Sequence, residues 1–364
     1  MNKQKKAYLV IALAVLLVLT GCTPEAASTQ PSQAAVQSEA RVQSEPTVTE
    51  DPVVQETTPE ILEGSLFLKV SSVTLSLVGE TDDIYLGVVP RELVAWESED
   101  PSIVSVENGV LTATGVGTTT IHATYYDRQV SCSAGCLART QEELESLGPD
   151  ILNQPKRIIP EVDMEAPCTY FENAAIVGDS INYMLLQCES KGDYLGNMLF
   201  LTRGGVSLNG FVRRFKNLYY QGREMNLEDV IAESQVDRMY ILIGSNDIAE
   251  PSQRTVFFEN WDIMLERIRE KSPDVEIVLI SNIPRSEGKE YNDLIEEYNT
   301  KMRQYAKENG CMYLDLYYYI QDHCKQIPKS YNLDGYHLND TGYMNYMKVL
   351  RYYAQYELEG GTLS

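Results

Sequence analysis

Residues 174–180 read Ala174-Ala175-Ile176-Val177-Gly178-Asp179-Ser180, a compact apolar run that breaks into a turn and opens onto a second apolar pattern. Consecutive apolar residues without polar alternation suit a strand buried on both faces rather than one half-exposed to water. Four more runs of this kind follow, at Met198–Leu201, Met239–Ile243, Val275–Ile280 and Cys311–Leu316, with helical candidates at Phe257–Lys271 and Tyr291–Asn309. Strand and helix in alternation predict a parallel sheet covered on both faces, a three-layer α/β/α domain over residues 171–358. In such a sheet the chemistry collects at the carboxyl ends of the strands, which is where Ser180 falls.

Three further stretches carry reactive residue types in a fixed order after Gly178-Asp179-Ser180. They are Gly204-Gly205, Gly244-Ser245-Asn246-Asp247 and Asp334-Gly335-Tyr336-His337. Taken alone, Asp179 and Ser180 are a turn and a helix cap, and Asn246 is an Asx turn. As a set they supply a nucleophile, donors for an oxyanion, and a base with its orienting acid. Ser180 opens a helix, so its N–H is unpaired and lies at the positive end of the helix dipole. The three histidines sort readily. His122 reads as a surface strand residue and His323 as a helix-end residue, whereas His337 follows Asp334 in a loop-like segment, where one turn delivers imidazole and carboxylate together.

These four stretches resemble the blocks of the SGNH (GDSL-type) hydrolase superfamily, over residues 171 to about 356. The resemblance implies a flavodoxin-like fold with Ser180 as nucleophile, His337 as general base and Asp334 as its partner. It also implies an oxyanion hole made by the Ser180 N–H, the Asn246 side chain and a backbone N–H of the second block. The Asp-x-x-His block, continuing through Leu338-Asn339-Asp340-Thr341-Gly342-Tyr343, is its most specific element. Many relatives have the donating glycine after a Gly-hydrophobic-Ser run, a position held here by Leu208, so Gly205 and Leu208 are both candidates and Gly205 is preferred. No metal and no organic cofactor is implied. The G-x-S-x-G elbow is missing, as are the Walker A, G-x-G-x-x-G and H-E-x-x-H patterns.

Upstream, residues 64–137 change to short β-prone runs broken by turn residues: Val73–Leu77, Ile84–Val88, Ile103–Val106, Gly109–Ala113 and Thr118–Thr124. They predict a small all-β sandwich. The stretch Val94–Val106 around Trp96, followed by Asn108-Gly109-Val110 and Gly115-Val116-Gly117, resembles the bacterial Ig-like group 2 domain, in which the tryptophan packs between sheets. Residues 138–170 read as a connector, with a short helix at Thr140–Ser146 and a proline-containing extended run after it.

The first residues are of another kind. Lys3, Lys5 and Lys6 precede an apolar run of 13 residues, Ala7–Leu19, that ends in Leu19-Thr20-Gly21-Cys22. A basic start, a short apolar stretch and small residues describe a secretory leader, residues 1–21, and the run is short for a membrane span. The tetrapeptide resembles a bacterial lipobox, which implies lipidation of Cys22 and an extracytoplasmic protein held at the cell surface by acyl chains. Residues 22–60 are rich in Ser, Thr, Gln, Pro, Ala and Glu without apolar periodicity, and read as a disordered tether.

A formal charge of −23, deepened by removal of the leader lysines, argues against nucleic acid and anionic lipid surfaces as partners. The run Arg213-Arg214-Phe215-Lys216 reads as the solvated face of a helix. The cysteines other than Cys22 are Cys132, Cys136, Cys168, Cys188, Cys311 and Cys324, and an exported location permits disulfides among them in many pairings. Cys132 and Cys136 lack a second metal-ligand pair, which argues against zinc. The 24 tyrosines, against seven phenylalanines, read as packing residues with surface hydroxyls, those near the C-terminal loops being candidates for a sugar platform. The expectation is a surface esterase acting on O-acetyl groups of polysaccharide. The alternatives are an acyl-lipid or lysophospholipid esterase, and a surface adhesion or binding protein of another class with a lost active site.

Overall fold

The computed structural model describes residues 66–213 and 218–363. The leader, Cys22 and the tether expected at 22–60 lie outside the described residues, as do Arg214, Phe215 and Lys216. The described residues fall within one compact unit.

Its first part is β-rich. Strands β1 (Phe67–Leu68), β2 (Ser72–Leu77), β3 (Thr81–Asp83), β4 (Tyr85–Leu86), β5 (Ala95–Ser98), β6 (Val104–Glu107), β7 (Val110–Ala113), β8 (Gly117–Tyr125) and β9 (Arg128–Ala138) come in succession. The connector follows with α1 (Gln141–Ser146), the short helix expected at Thr140–Ser146, with Thr140 as its cap, then α2 (Pro149–Leu152) and β10 (Arg157–Ile158). One sheet has the order β10-β2-β9-β8-β5 and a smaller one β3-β7-β6, with β1 and β4 paired separately. Leu75, Ile121 and Ala134 of the larger sheet share a core with Val104 and Leu111 of the smaller. The connector is therefore no free linker, because β10 adds an antiparallel edge strand to the β-rich part, Arg157 opposite Val73.

The second part contains β11 (Ala174–Gly178), α3 (Ser180–Glu189), β12 (Leu199–Thr202), α4 (Leu208–Arg213), a hairpin of β13 (Leu218–Tyr220) and β14 (Arg223–Met225), and α5 (Leu227–Ser234). It continues with β15 (Arg238–Leu242), α6 (Ser245–Ala249), α7 (Pro251–Arg254), α8 (Phe257–Lys271), β16 (Glu276–Ile280), α9 (Lys289–Glu308), β17 (Met312–Leu314) and α10 (Asp340–Leu358). All five central strands are parallel, in the order β12-β11-β15-β16-β17. The period-two rule divides their side chains cleanly. Ile176, Tyr240, Leu242, Val278 and Ile280 face one core with α3 and α10, while Val177, Met239, Ile241, Ile277 and Leu279 face another with α4, α5, α8 and α9. The α/β/α layering expected from the apolar runs is present.

The two parts are joined by tyrosines. The Tyr319 hydroxyl donates to Lys69 O (3.0 Å), that of Tyr352 to Leu68 O (2.6 Å) and that of Tyr356 to Gly87 O (3.2 Å). Phe67 inserts its ring edge-on to Tyr352 and Tyr356, so the core of the β-rich part runs on into the α3–α10 layer. Most C-terminal tyrosines are thus packing residues. His323, expected at a helix end, lies instead in a turn at this junction, its Nδ1 3.0 Å from Ser76 Oγ. Its pKa falls to about 4 because it is buried and stands near Lys156. No helix among the described residues is long and apolar enough to cross a membrane.

Candidate active site

β11 must end in glycine. A Cβ on Gly178 would lie 2.3 Å from Leu242 O of the neighbouring β15 and 2.6 Å from Asn182 Nδ2. Fully buried Asn182 donates to Val177 O (2.9 Å) and accepts from the Tyr346 hydroxyl (3.2 Å), fixing the end of β11 to α3 and α10. Asp179 then caps α3, accepting from Ile181 N–H (3.0 Å) and from Ser245 Oγ (3.0 Å). Burial raises its pKa to about 6 against the pull of those donors and of His337. Ser180 is left as the first residue of α3, at the carboxyl end of the sheet between β12 and β15.

The imidazole arrives from the far end of the chain. Asp334 Oδ1 accepts the backbone N–H groups of Tyr336 (3.0 Å) and His337 (2.8 Å), and Gly335, at φ +94°, makes the turn between them. Asn339 caps α10 by accepting from Gly342 N–H (3.0 Å), so a long buried helix anchors the loop immediately after His337. Asp334 Oδ2 lies 2.8 Å from His337 Nδ1, and His337 Nε2 lies 2.9 Å from Ser180 Oγ. A carboxylate only accepts, so Nδ1 carries the proton and Nε2 is free to accept from the serine hydroxyl. Burial works to raise the Asp334 pKa, but hydrogen bonds from the ring and the two N–H groups outweigh it and hold the carboxyl below its ordinary range.

Gly205 and Asn246 follow β12 and β15, the strands on either side of β11. Gly205 sits in an exposed turn at φ +70°, where an added Cβ would meet nothing, so its requirement is the left-handed backbone and not space. Asn246 donates one amide hydrogen to Val206 O (2.9 Å), tying the two segments together and leaving its second hydrogen available. Leu208 does not remain a candidate donor. Its N–H is bound to Asp247 Oδ2 (2.7 Å), and the other oxygen of Asp247 takes Asn209 N–H (3.0 Å). Asp247 is itself fully buried, and burial raises its pKa against those two donors.

The structure therefore brings Ser180, His337 and Asp334 into one hydrogen-bonded chain, with Gly205 and Asn246 on the segments that follow the two strands flanking β11. His122 is a half-buried strand residue between Ser131 and Glu99. The six described cysteines are all unpaired. Among the described residues no group of three or more His, Cys, Asp or Glu side chains is arranged to hold a metal ion. A groove of about 370 Å³ runs along α3 past Met184 and Cys188, walled opposite by Leu333, Leu338 and Tyr343. Sequence reasoning missed Asn182, Ser245 and the anchoring role of Asp247, although the last two lie inside a stretch it had singled out.

Residues 176–344 match the model of the GDSL-like Lipase/Acylhydrolase family. Over these residues the second part of the chain is similar to a GDSL-type hydrolase domain. The match contains Ser180, Asn246, Asp334 and His337, and the family is one of esterases and acylhydrolases. Among solved structures, a GDSL-like lipase from Bacteroides thetaiotaomicron is 20% identical, the match covering 53% of this chain and 92% of that one at a TM-score of 0.43. A member of the lipolytic protein G-D-S-L family from Veillonella parvula is 17% identical over 49% and 96%, with a TM-score of 0.34. A carbohydrate esterase family 3 protein from Talaromyces cellulolyticus is 15% identical over 51% and 97%, with a TM-score of 0.38. No curated protein matches the chain.

Proposed function

We propose that this chain is a serine esterase that removes small acyl groups, acetyl first among them, from carbohydrate at a bacterial cell surface. The observation that supports it most is the continuous hydrogen-bonded chain Asp334–His337–Ser180 at the carboxyl end of β11. In this reading His337 Nε2 takes the Ser180 hydroxyl proton as Oγ attacks the ester carbonyl. Negative charge then develops on the carbonyl oxygen, beside the Ser180 N–H at the start of α3, the Gly205 N–H and the second Asn246 amide hydrogen. Protonated His337 gives its proton to the departing alcohol, and water repeats the sequence on acyl-Ser180. Asp334 holds the tautomer and stabilises the imidazolium. No step requires a metal or organic cofactor.

The expected address is extracytoplasmic, with lipidation of Cys22 as anchor and an Ig-like β-rich part between anchor and enzyme. The test is hydrolysis of 4-nitrophenyl acetate by the purified protein beside Ser180→Ala. A loss of about 10³-fold or more is expected, because triad members act as a unit. Equal rates would favour a binding protein with an inherited fold. A second reading, an esterase of longer acyl chains, would draw on the groove along α3, whose lining combines Met184, Leu333 and Leu338 with Lys191 and Asp340 and includes neither Ser180 nor His337. A rate on the octanoate ester well above that on acetate would select it.

A further inference from the structure

The loop after β16 carries a cation with no assigned task. Buried Asn292 clamps the backbone of Arg285 at both ends, accepting from its N–H (2.8 Å) and donating to its carbonyl (3.0 Å). The next residue, Ser286, donates its N–H to Gly335 O (3.0 Å), so this loop is tied directly to the turn between Asp334 and His337. The guanidinium carbon lies 3.5 Å from the ring centroid of Tyr291 and 4.8 Å from that of Tyr336, the neighbour of His337. Tyr291 in turn donates its hydroxyl to Ser245 O (2.9 Å), beside Asn246. Arg285 thus lies against the histidine loop through Tyr336 and is linked to the segment after β15 through Tyr291.

Several other described arginines of this acidic chain meet oxygen acceptors. Arg157 pairs with Asp82 and Arg303 with Asp315, while Arg254 donates to Ile248 O and Arg351 to Met164, Tyr194 and Ala166 carbonyls. Among the described residues, none of the ion pairs includes Arg285, although Glu287 is two residues away, and the oxygen its guanidinium meets is the Tyr291 hydroxyl, with no carboxylate or carbonyl in contact. With two rings and one hydroxyl as its neighbours, the guanidinium keeps further N–H donors, in a fork whose geometry matches paired oxygens of a carboxylate or phosphate.

Resting on the esterase reading, we propose that Arg285 is a specificity-determining residue that receives a carboxylate or phosphate group carried by the alcohol half of the ester. The alcohol half is specified because His337 protonates the leaving oxygen, and Tyr336, against which Arg285 lies, adjoins that histidine. The exposed Tyr336 ring, 56% accessible, offers a flat surface for a sugar carrying that anion. The substrate is then an acylated acidic saccharide or an acylated polyol phosphate.

The experiment compares kcat/KM on acetylated glucuronic acid, acetylated glycerol phosphate and acetylated glucose, with 4-nitrophenyl acetate as a charge-free reference. The wild type is expected to favour one of the anionic esters over acetylated glucose by about tenfold or more, and raised salt to erode that preference. Arg285→Gln should abolish the preference while leaving acetylated glucose and the reference within about twofold, with Arg285→Lys recovering part of it. Charge-blind kinetics in the wild type, or an equal fall on all four esters in Arg285→Gln, would overturn the assignment while leaving the esterase reading intact. Should the reference ester not be hydrolysed at all, the esterase reading fails separately. Calorimetric titration of glucuronate and glycerol phosphate into Ser180→Ala then decides on Arg285 without turnover. Binding of one anion that weakens about tenfold on adding Arg285→Gln supports it, and binding of neither refutes it.

Discussion

Replacing Arg157 with methionine is expected to weaken both parts of the molecule together, because the residue sits in β10 where the two parts meet. Arg157 Nε is 2.7 Å from Asp82 Oδ2, with the two side chains only 9% and 3% exposed. The same guanidinium donates to Tyr318 O (3.3 Å) and lies 4.0 Å from that ring centroid, while the Tyr318 hydroxyl donates to Asp82 Oδ1 (2.9 Å). Removing the arginine leaves the Asp82 carboxylate shielded from water with a single tyrosine hydroxyl as partner. Loss of one member of a buried pair costs about 3–5 kcal/mol, against about 0–1 for an exposed pair such as Lys191–Asp340. With a urea dependence of about 3 kcal/mol per molar for a unit of this size, the midpoint should fall by about 1–1.7 M. The chain's two tryptophans divide the readout, since Trp96 is on β5 and Trp261 on α8. Fluorescence of Trp96→Phe and Trp261→Phe backgrounds should report coincident transitions that move together with Arg157→Met. The double change Asp82→Leu with Arg157→Met should recover most of the loss. A midpoint that stays within about 0.3 M, or a shift confined to Trp96, would refute the reasoning.

His323 offers a pH test at the same junction. Its folded pKa of about 4 lies below the ordinary 6.5, so the unfolded chain binds a proton that the folded one refuses, and stability drops as pH falls from 6.5 towards 4, by at most about 3 kcal/mol. Asp179, Asp322 and Glu357, raised by burial, act in the opposite sense, so the quantity to measure is the difference in Tm between wild type and His323→Gln across that window. The difference should shrink or reverse in favour of the variant as pH falls, and a pH-independent difference would contradict the assignment. Gly178→Ala forces a methyl against Leu242 O and should cost about 1–3 kcal/mol or more in urea unfolding together with most of the esterase activity. Asp247→Ala frees the N–H groups of Leu208 and Asn209, and should lower kcat about tenfold or more at nearly constant KM if this carboxylate holds the segment that carries Gly205.

The catalytic half was legible because its strands are buried on both faces. An unbroken apolar run such as Val275–Ile280 has little choice of environment, and β16 ends where the run ends. Ser180, His337 and Asp334 were legible for a related reason, since each follows a strand or occupies a loop whose glycine has a geometric duty. What escaped was whatever depended on tertiary partners. Strand β9 reads Arg-Gln-Val-Ser-Cys-Ser-Ala-Gly-Cys-Leu-Ala, with few β-branched residues, yet it is the longest strand of the β-rich part because β8 and β2 pair along its two edges. Helix α10 was hidden because its Tyr-rich stretch buries tyrosines against two separate surfaces and blurs the period of a single apolar stripe. The Leu208 alternative could be decided only by knowing where the Asp247 carboxylate points.

The same tyrosines bear on the β-rich part as a component of the enzyme. A spacer that pivots would meet its neighbour through a polar, hydrated surface, as domain contacts of the mobile kind do. Here Tyr319, Tyr352 and Tyr356 bury their rings and give their hydroxyls to main-chain carbonyls of the β-rich part, bonds that form only at a fixed separation and angle. The connector reinforces this, since Lys156 N–H binds Gln321 O while the next residue pairs with β2. Helix α10 therefore serves at both its ends: its first residues anchor the loop that holds His337, and its last two turns hold the β-rich part. Cutting that part away would expose Tyr352 and Tyr356 and loosen the helix on which the imidazole depends, so the catalytic half is expected to lose activity along with its neighbour.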